Sequence, residues 1–194
     1  MISYKKIENT IFLALHSSIL IKNNNKIMSY VIGIDFGGVL SVHDGGSSEH
    51  TNTSINMEGA TEGIRELSKT HQLNIVSFCG KIRAAVTKES LGNSGLGELF
   101  VGQYYVKNKN FKLNICNYLG CHFIIDDTIE ILDHIKESNK EIVTIWFEGS
   151  ELGSDHVVAK DWQEVLSIIE KYDFTKHTVV SKHSMDISKF IYAV

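Results

Sequence analysis

Three apolar runs in this chain end on groups that can do chemistry. Val31-Ile32-Gly33-Ile34 leads to Asp35 and turns at once through Phe36-Gly37-Gly38. Asn74-Ile75-Val76 leads to Ser77, and His122-Phe123-Ile124-Ile125 leads to the acid pair Asp126-Asp127. An apolar strand that stops on a carboxylate beside a glycine turn aims that carboxylate into a cleft, as a nucleophile or a metal ligand. Carboxylates gathered from separate strands repel one another unless a cation lies between them. Magnesium suits such a set, because it takes oxygen ligands and needs only one or two carboxylates. A strand-end hydroxyl such as Ser77, with the amides after it, can hold a phosphate oxygen. An ammonium such as Lys112 can offset phosphoryl charge, with Lys107 and Lys109 as nearby competitors. Each group also has a plainer role: Asp126-Asp127 as a turn and helix cap, Ser77 as a strand end, the lysines as solvated charges.

For these groups to meet, the elements carrying them must share one sheet edge. Hydrophobic periodicity predicts strands at Tyr30–Phe36, Leu73–Phe78, Leu99–Val106, His122–Ile125 and Glu141–Phe147. Helices are predicted at Glu58–Thr70, Lys81–Leu91, Phe111–Leu119 and Thr128–Ser138, with Gly92-Asn93-Ser94-Gly95 and Gly120 as stops. A last helix opens on Asp161-Trp162-Gln163-Glu164, a capping-box pattern. Ser41–Asn56 is polar and reads as a loop. Alternating strands and helices imply an α/β fold with a central, mainly parallel sheet and helices on both faces. In such a sheet ligands bind beyond the carboxyl ends of the strands, where Asp35, Ser77 and Asp126-Asp127 would converge.

Composition bounds the reading. With 194 residues, 43% hydrophobic and 22% charged, the chain can bury one substantial core. A net charge of -4 argues against a nucleic-acid surface. Cys79, Cys116 and Cys121 have no zinc-site spacing and no disulfide framework is expected, which favours a reducing, cytoplasmic setting. Proline is absent, where usual composition would give about ten. With abundant Asn, Ile and Lys, that fits an AT-rich genome such as a low-GC microbe or a large DNA virus. Residues 1–27 read as an N-terminal extension: the apolar run Ile11–Leu15 is broken at His16 and is too short to span a membrane. Residues 28–172 read as the domain and 173–194 as a tail packed on it.

Taken in order, Ile32-Gly33-Ile34-Asp35, Ile75-Val76-Ser77, Lys112 and Phe123-Ile124-Ile125-Asp126-Asp127 resemble the haloacid dehalogenase superfamily of phosphatases and phosphoryl-transfer enzymes. The resemblance covers roughly residues 29–172. It implies a Rossmann-like three-layer fold and a magnesium-dependent phosphohydrolase acting on a small-molecule or macromolecular phosphate ester. Asp35 would be the nucleophile and form an aspartyl-phosphate. Ser77 would bind phosphate and Lys112 would stabilise its charge. Asp35, Asp126, Asp127 and the Gly37 backbone carbonyl would hold the metal. The short Ser41–Asn56 segment implies a minimal cap and an open site. In that family a second Asp usually stands two residues after the first, protonating the leaving group and then activating water. Here that position is Gly37, which keeps the carbonyl and lacks the acid. His43, Asp44, Glu49 and His50 are nearby candidates to replace it.

Gly37 also favours a second reading, a degenerate binding or regulatory module that keeps the metal pocket without turnover. A third reading comes from Gly33-Ile34-Asp35-Phe36-Gly37-Gly38, which resembles the first phosphate loop of sugar-kinase and actin-type ATP-binding proteins. Gly92-Asn93-Ser94-Gly95-Leu96-Gly97 would then be the second loop.

Overall fold

A computed structural model describes residues 29–42, 54–150, 155–173 and 185–194. The expected extension at 1–27, most of the Ser41–Asn56 loop, and His43, Asp44, Glu49 and His50 lie outside the described residues.

Six strands form one all-parallel sheet: β1 (Val31–Ile34), β2 (Gln72–Phe78), β3 (Phe100–Val106), β4 (Phe123–Asp126), β5 (Val143–Phe147) and β6 (Val157–Ala159). The helices are α1 (Ala60–Ser68), α2 (Lys81–Asn93), α3 (Phe111–Leu119), α4 (Ile129–Ser138) and α5 (Trp162–Lys171). Each predicted strand and helix is present, with ends shifted by a few residues. β6 was not anticipated, because three residues are too short to show a period.

The strand order is β3-β2-β1-β4-β5-β6. The chain moves outward from β1 through β2 to β3, then crosses back to β4 on the other side of β1. Right-handed crossovers place α1 and α2 on one face of the sheet and α3 and α4 on the other. Strand alternation fills the two cores separately. Ile32, Ile34, Leu73, Ile75, Phe123 and Ile125 meet Ile64 of α1, Ala84 of α2 and Val165 of α5. Val31, Val76 and Ile124 meet Ile115 of α3 and Leu132 and Ile135 of α4. The sheet is therefore buried on both faces, which explains why its strands read as near-continuous apolar runs.

Two contacts fix the outer layer. Trp162 is buried and donates its indole N–H to the Val39 carbonyl at 2.9 Å, tying α5 to the turn after β1. Gly63 on α1 makes room for this ring, since a Cβ there would lie 2.5 Å from Trp162 Cε3. The Asp161 carboxylate accepts the Glu164 amide at 2.8 Å, and the Glu164 carboxylate accepts the amide of Lys160 at 2.8 Å. The capping box is thus displaced by one residue on its return bond. At the far edge, residues 185–194 lie along β3. Ile191 bridges Val106 in antiparallel sense, and Tyr105 O accepts Tyr192 N–H at 3.0 Å.

Candidate active site

The reversal of strand order between β1 and β4 creates a crevice at their carboxyl ends, the usual ligand position in an open α/β sheet. Both acid-bearing segments flank it. The ladder continues one step past β1, where the Asp35 amide donates to Ile125 O at 2.9 Å. That register holds Asp35 level with the end of β4. The turn is closed by the Phe36 carbonyl, which accepts the amides of Leu40 at 3.0 Å and Ser41 at 2.9 Å. Gly38 takes φ 74°, the left-handed conformation that glycine adopts without strain. The φ of Gly37 is not positive, so its backbone accommodates a side chain.

Lys112, in the first turn of α3, is fully buried beneath this crevice. Its ammonium lies 2.8 Å from Asp35 Oδ2 and 2.6 Å from Asp126 Oδ2. The remaining oxygens of both acids take backbone donors. Phe36 N–H donates to Asp35 Oδ1 at 2.6 Å, and Thr128 N–H donates to Asp126 Oδ1 at 3.0 Å. Asp126 therefore holds the turn into α4 and also lies in the acid cluster. Lys107 and Lys109 are exposed, and Lys107 Nζ lies 3.4 Å from Lys189 O.

Burial alone would lower the pKa of the Lys112 ammonium. The charges of Asp126 and Asp35 reverse this and hold it above the usual lysine range. Burial and the neighbouring Asp35 charge push Asp126 up to about 7, against the pull of Lys112. Asp127, half-buried, completes the group: Asp35, Asp126 and Asp127 each offer an oxygen within 4.8 Å of the others. Three carboxylates and one ammonium leave two negative charges uncompensated when all are ionised. The donors are hard oxygens, so the residues fit a divalent cation of the magnesium type.

Above the cluster is a cavity of about 170 Å³, lined by Asp35, Gly37, Ser77, Lys112, Asp127 and Thr128 among others. Asp35, Gly37, Ser77, Lys112 and Asp127 thus line this cavity, and Asp126 is buried behind Lys112, while Lys107 and Lys109 do not line it. Among the lining residues not anticipated are Cys79, Arg83, Thr87 and Tyr105. They come from the end of β2, the first two turns of α2 and the neighbouring β3, and the strand order brings them to Asp35. The Cys79 thiol is pushed up to about 11, chiefly by burial, so it is protonated at neutral pH and is no thiolate nucleophile. Burial likewise raises the Tyr105 phenol, whose O–H donates to Gln103 Oε1 at 3.0 Å. Among the described lining residues no histidine or additional carboxylate stands beside Gly37.

The segment offered as a second nucleotide loop does not serve that role. Gly92 and Asn93 belong to α2, and Gly97–Leu99 forms a short 3-10 turn leading into the amino end of β3. In an all-parallel sheet that is the edge opposite Asp35.

No protein-family model matches the chain, and no curated protein matches it. Solved structures do. D,D-heptose 1,7-bisphosphate phosphatase from B. bronchiseptica, solved with magnesium and phosphate, is 10% identical with a TM-score of 0.58, covering 74% of this chain and 98% of its own. An uncharacterised protein from Listeria monocytogenes serotype 4b is 15% identical with a TM-score of 0.57, covering 73% and 97%. A haloacid dehalogenase-like hydrolase from Streptococcus pneumoniae is 13% identical with a TM-score of 0.52, covering 73% and 98%. The chain has the α/β, Rossmann-like fold of the haloacid dehalogenase superfamily hydrolases.

Proposed function

We propose that the protein is a magnesium-dependent phosphohydrolase that works through an aspartyl-phosphate on Asp35. The observation that carries this reading is the buried Lys112 bridging Asp35 and Asp126 at a cavity floor, with Asp127 within ligand distance. Asp35, Asp126, Asp127 and the Gly37 carbonyl are the proposed metal ligands. Magnesium there would neutralise the acids and polarise the phosphoryl oxygens. Ser77 and Lys112 would hold the phosphoryl group and offset its charge. An Asp35 oxygen would attack phosphorus as the ester oxygen departs. Water would then attack phosphorus and release Asp35 and inorganic phosphate.

The missing acid at position 37 shapes the substrate preference. A positioned general acid/base contributes about 10²–10⁴ in rate. Cys79 and Tyr105, the other protonated groups at the cavity, have pKa values raised away from neutrality. Turnover would therefore favour esters whose leaving group needs little protonation. The substrate is a phosphate ester rather than a nucleic acid, given the net charge of -4. The free thiols Cys79, Cys116 and Cys121 suit a reducing, cytoplasmic compartment. No helix among the described residues is long and apolar enough to cross a membrane.

An aryl phosphate assayed with and without magnesium tests this reading. The expected result is metal-dependent turnover that Asp35→Asn abolishes. Gly37 favours one rival, a metal-binding module without turnover. Magnesium binding with no hydrolysis across a broad phosphate panel would establish that rival instead.

A further inference from the structure

The proposed chemistry accounts for Lys112 but leaves a second cation at the cavity without a role. Arg83 lies in the first turn of α2, half-buried, and its side chain lines the same cavity. Among the described residues it makes no ion pair and no side-chain hydrogen bond, whereas Lys112 makes two ion pairs. Withdrawing a guanidinium from water without a partner is unfavourable unless something else supplies the partner.

Its position says which part of a ligand that partner would be. The charge of Arg83 bears on Cys79, where it is the largest influence opposing burial. Arg83 shares the β2–α2 side of the cavity with Phe78 and Cys79, whereas the acid cluster is carried by the ends of β1 and β4. Thr87, one helical turn further along α2, lines the same wall. The phosphoryl group would occupy the floor with Lys112 and Ser77, so Arg83 faces the remainder of the ester. The cavity, about 170 Å³, has room for the phosphoryl group and the atoms of the ester next to it.

We propose that Arg83 is a specificity residue that binds a second oxyanion, a carboxylate or phosphate, on the leaving group of a small phosphate monoester. The guanidinium fork matches either oxyanion through two parallel hydrogen bonds. This inference rests on the phosphohydrolase reading and narrows its substrate class.

The test compares phosphoglycolate and 1,3-propanediol bisphosphate, which carry a second oxyanion, with glycerol 3-phosphate and 4-nitrophenyl phosphate, which do not. Wild type, Arg83→Ala and Arg83→Lys are assayed with magnesium. The expected result is a kcat/KM preference for the doubly anionic esters over glycerol 3-phosphate, whose alkyl leaving group is of the same kind, of roughly 10- to 150-fold. Arg83→Ala should abolish that preference and leave 4-nitrophenyl phosphate within about twofold of wild type, with Arg83→Lys intermediate. Which of the two doubly anionic esters responds more identifies the oxyanion. Equal loss on all four esters would overturn the proposal, because Arg83 would then serve the phosphoryl group itself. So would no loss on any.

If no ester is turned over, the phosphohydrolase reading fails separately, and calorimetric binding of phosphoglycolate and of inorganic phosphate decides the Arg83 proposal. Weakening of phosphoglycolate alone by Arg83→Ala supports it. Equal weakening of both ligands, no change in either, or no phosphoglycolate binding by wild type contradicts it.

Discussion

Among the described residues, two hydrogen-bonded triplets of polar side chains have similar distances, and they differ in whether they open onto a cavity. In the first, Lys112 reaches Asp35 at 2.8 Å and Asp126 at 2.6 Å. In the second, Thr144 Oγ1 lies 2.7 Å from His156 Nδ1, and His156 Nε2 lies 2.9 Å from Asp133 Oδ1. By residue type the second is the more suggestive, since hydroxyl, imidazole and carboxylate are the members of a hydrolytic triad. Its exposure is inverted, however. A triad needs a reachable hydroxyl and a sheltered acid. Here Thr144 is 3% exposed while the Asp133 side chain is 57% exposed. The chain of bonds joins β5, the approach to β6 and α4, so its work is to hold the sheet edge together. The first triplet opens onto a cavity at the strand-order reversal, with a carboxylate at the mouth and its counter-charge beneath. Position relative to the sheet's carboxyl edge, more than residue type, separates a site from a brace.

That contrast yields graded predictions. Lys112→Met should have the largest effect on stability, about 3–5 kcal/mol, because it leaves two buried carboxylates without their cation. Magnesium should recover part of the loss, measured as a rise in the denaturation midpoint of the variant. Failure of magnesium to stabilise either protein would separate the acid cluster from metal binding.

Gly37→Asp should raise kcat/KM, which reports the leaving-group step, on alkyl phosphates by up to about 10²–10⁴, and much less on aryl phosphates, whose leaving groups depart unaided. An equal gain on both ester types would indicate that the new carboxylate acts on the metal or on Asp35 rather than as a proton donor.

Thr144→Val should be the mildest change, costing about 1–3 kcal/mol through loss of the buried hydrogen bond to His156 Nδ1, with kcat/KM unchanged. A loss of turnover larger than the loss of folded protein would reverse the assignment of that triplet.

The centre of the fold was legible in the sequence because its strands are buried on both faces and end on charges. Asp35 and Asp126-Asp127 stand out as acids closing apolar runs, and Ser77 as a hydroxyl closing another. Lys112 was less legible. Local pattern gave equal standing to Lys107 and Lys109, and the family resemblance selected it. Its burial follows from the phase of α3, where Lys112 faces the sheet together with Ile115 and Cys116. Arg83 and Tyr105 went unseen because no local signal reports that α2 and β3 flank the same crevice. That information lies in the strand order. The pairing of Ile191 with Val106 escaped for the same reason, being an edge contact between residues distant in sequence. The one signal that could have flagged Arg83 is its place in the first helical turn after the Ser77 strand, a position that overlooks a strand-end site.

The account's central claim is that Asp35 is a phosphoryl acceptor and that Gly37 leaves the acceptor slow to discharge. Acid quench of a single turnover with an aryl phosphate and magnesium, followed by peptide mass analysis, tests both parts. The predicted result is a phosphoryl adduct on the Asp35 peptide that accumulates in wild type, is absent in Asp35→Asn, and decays faster in Gly37→Asp. Phosphate release with no adduct on Asp35, at a rate that Asp35→Asn leaves unchanged, would contradict it.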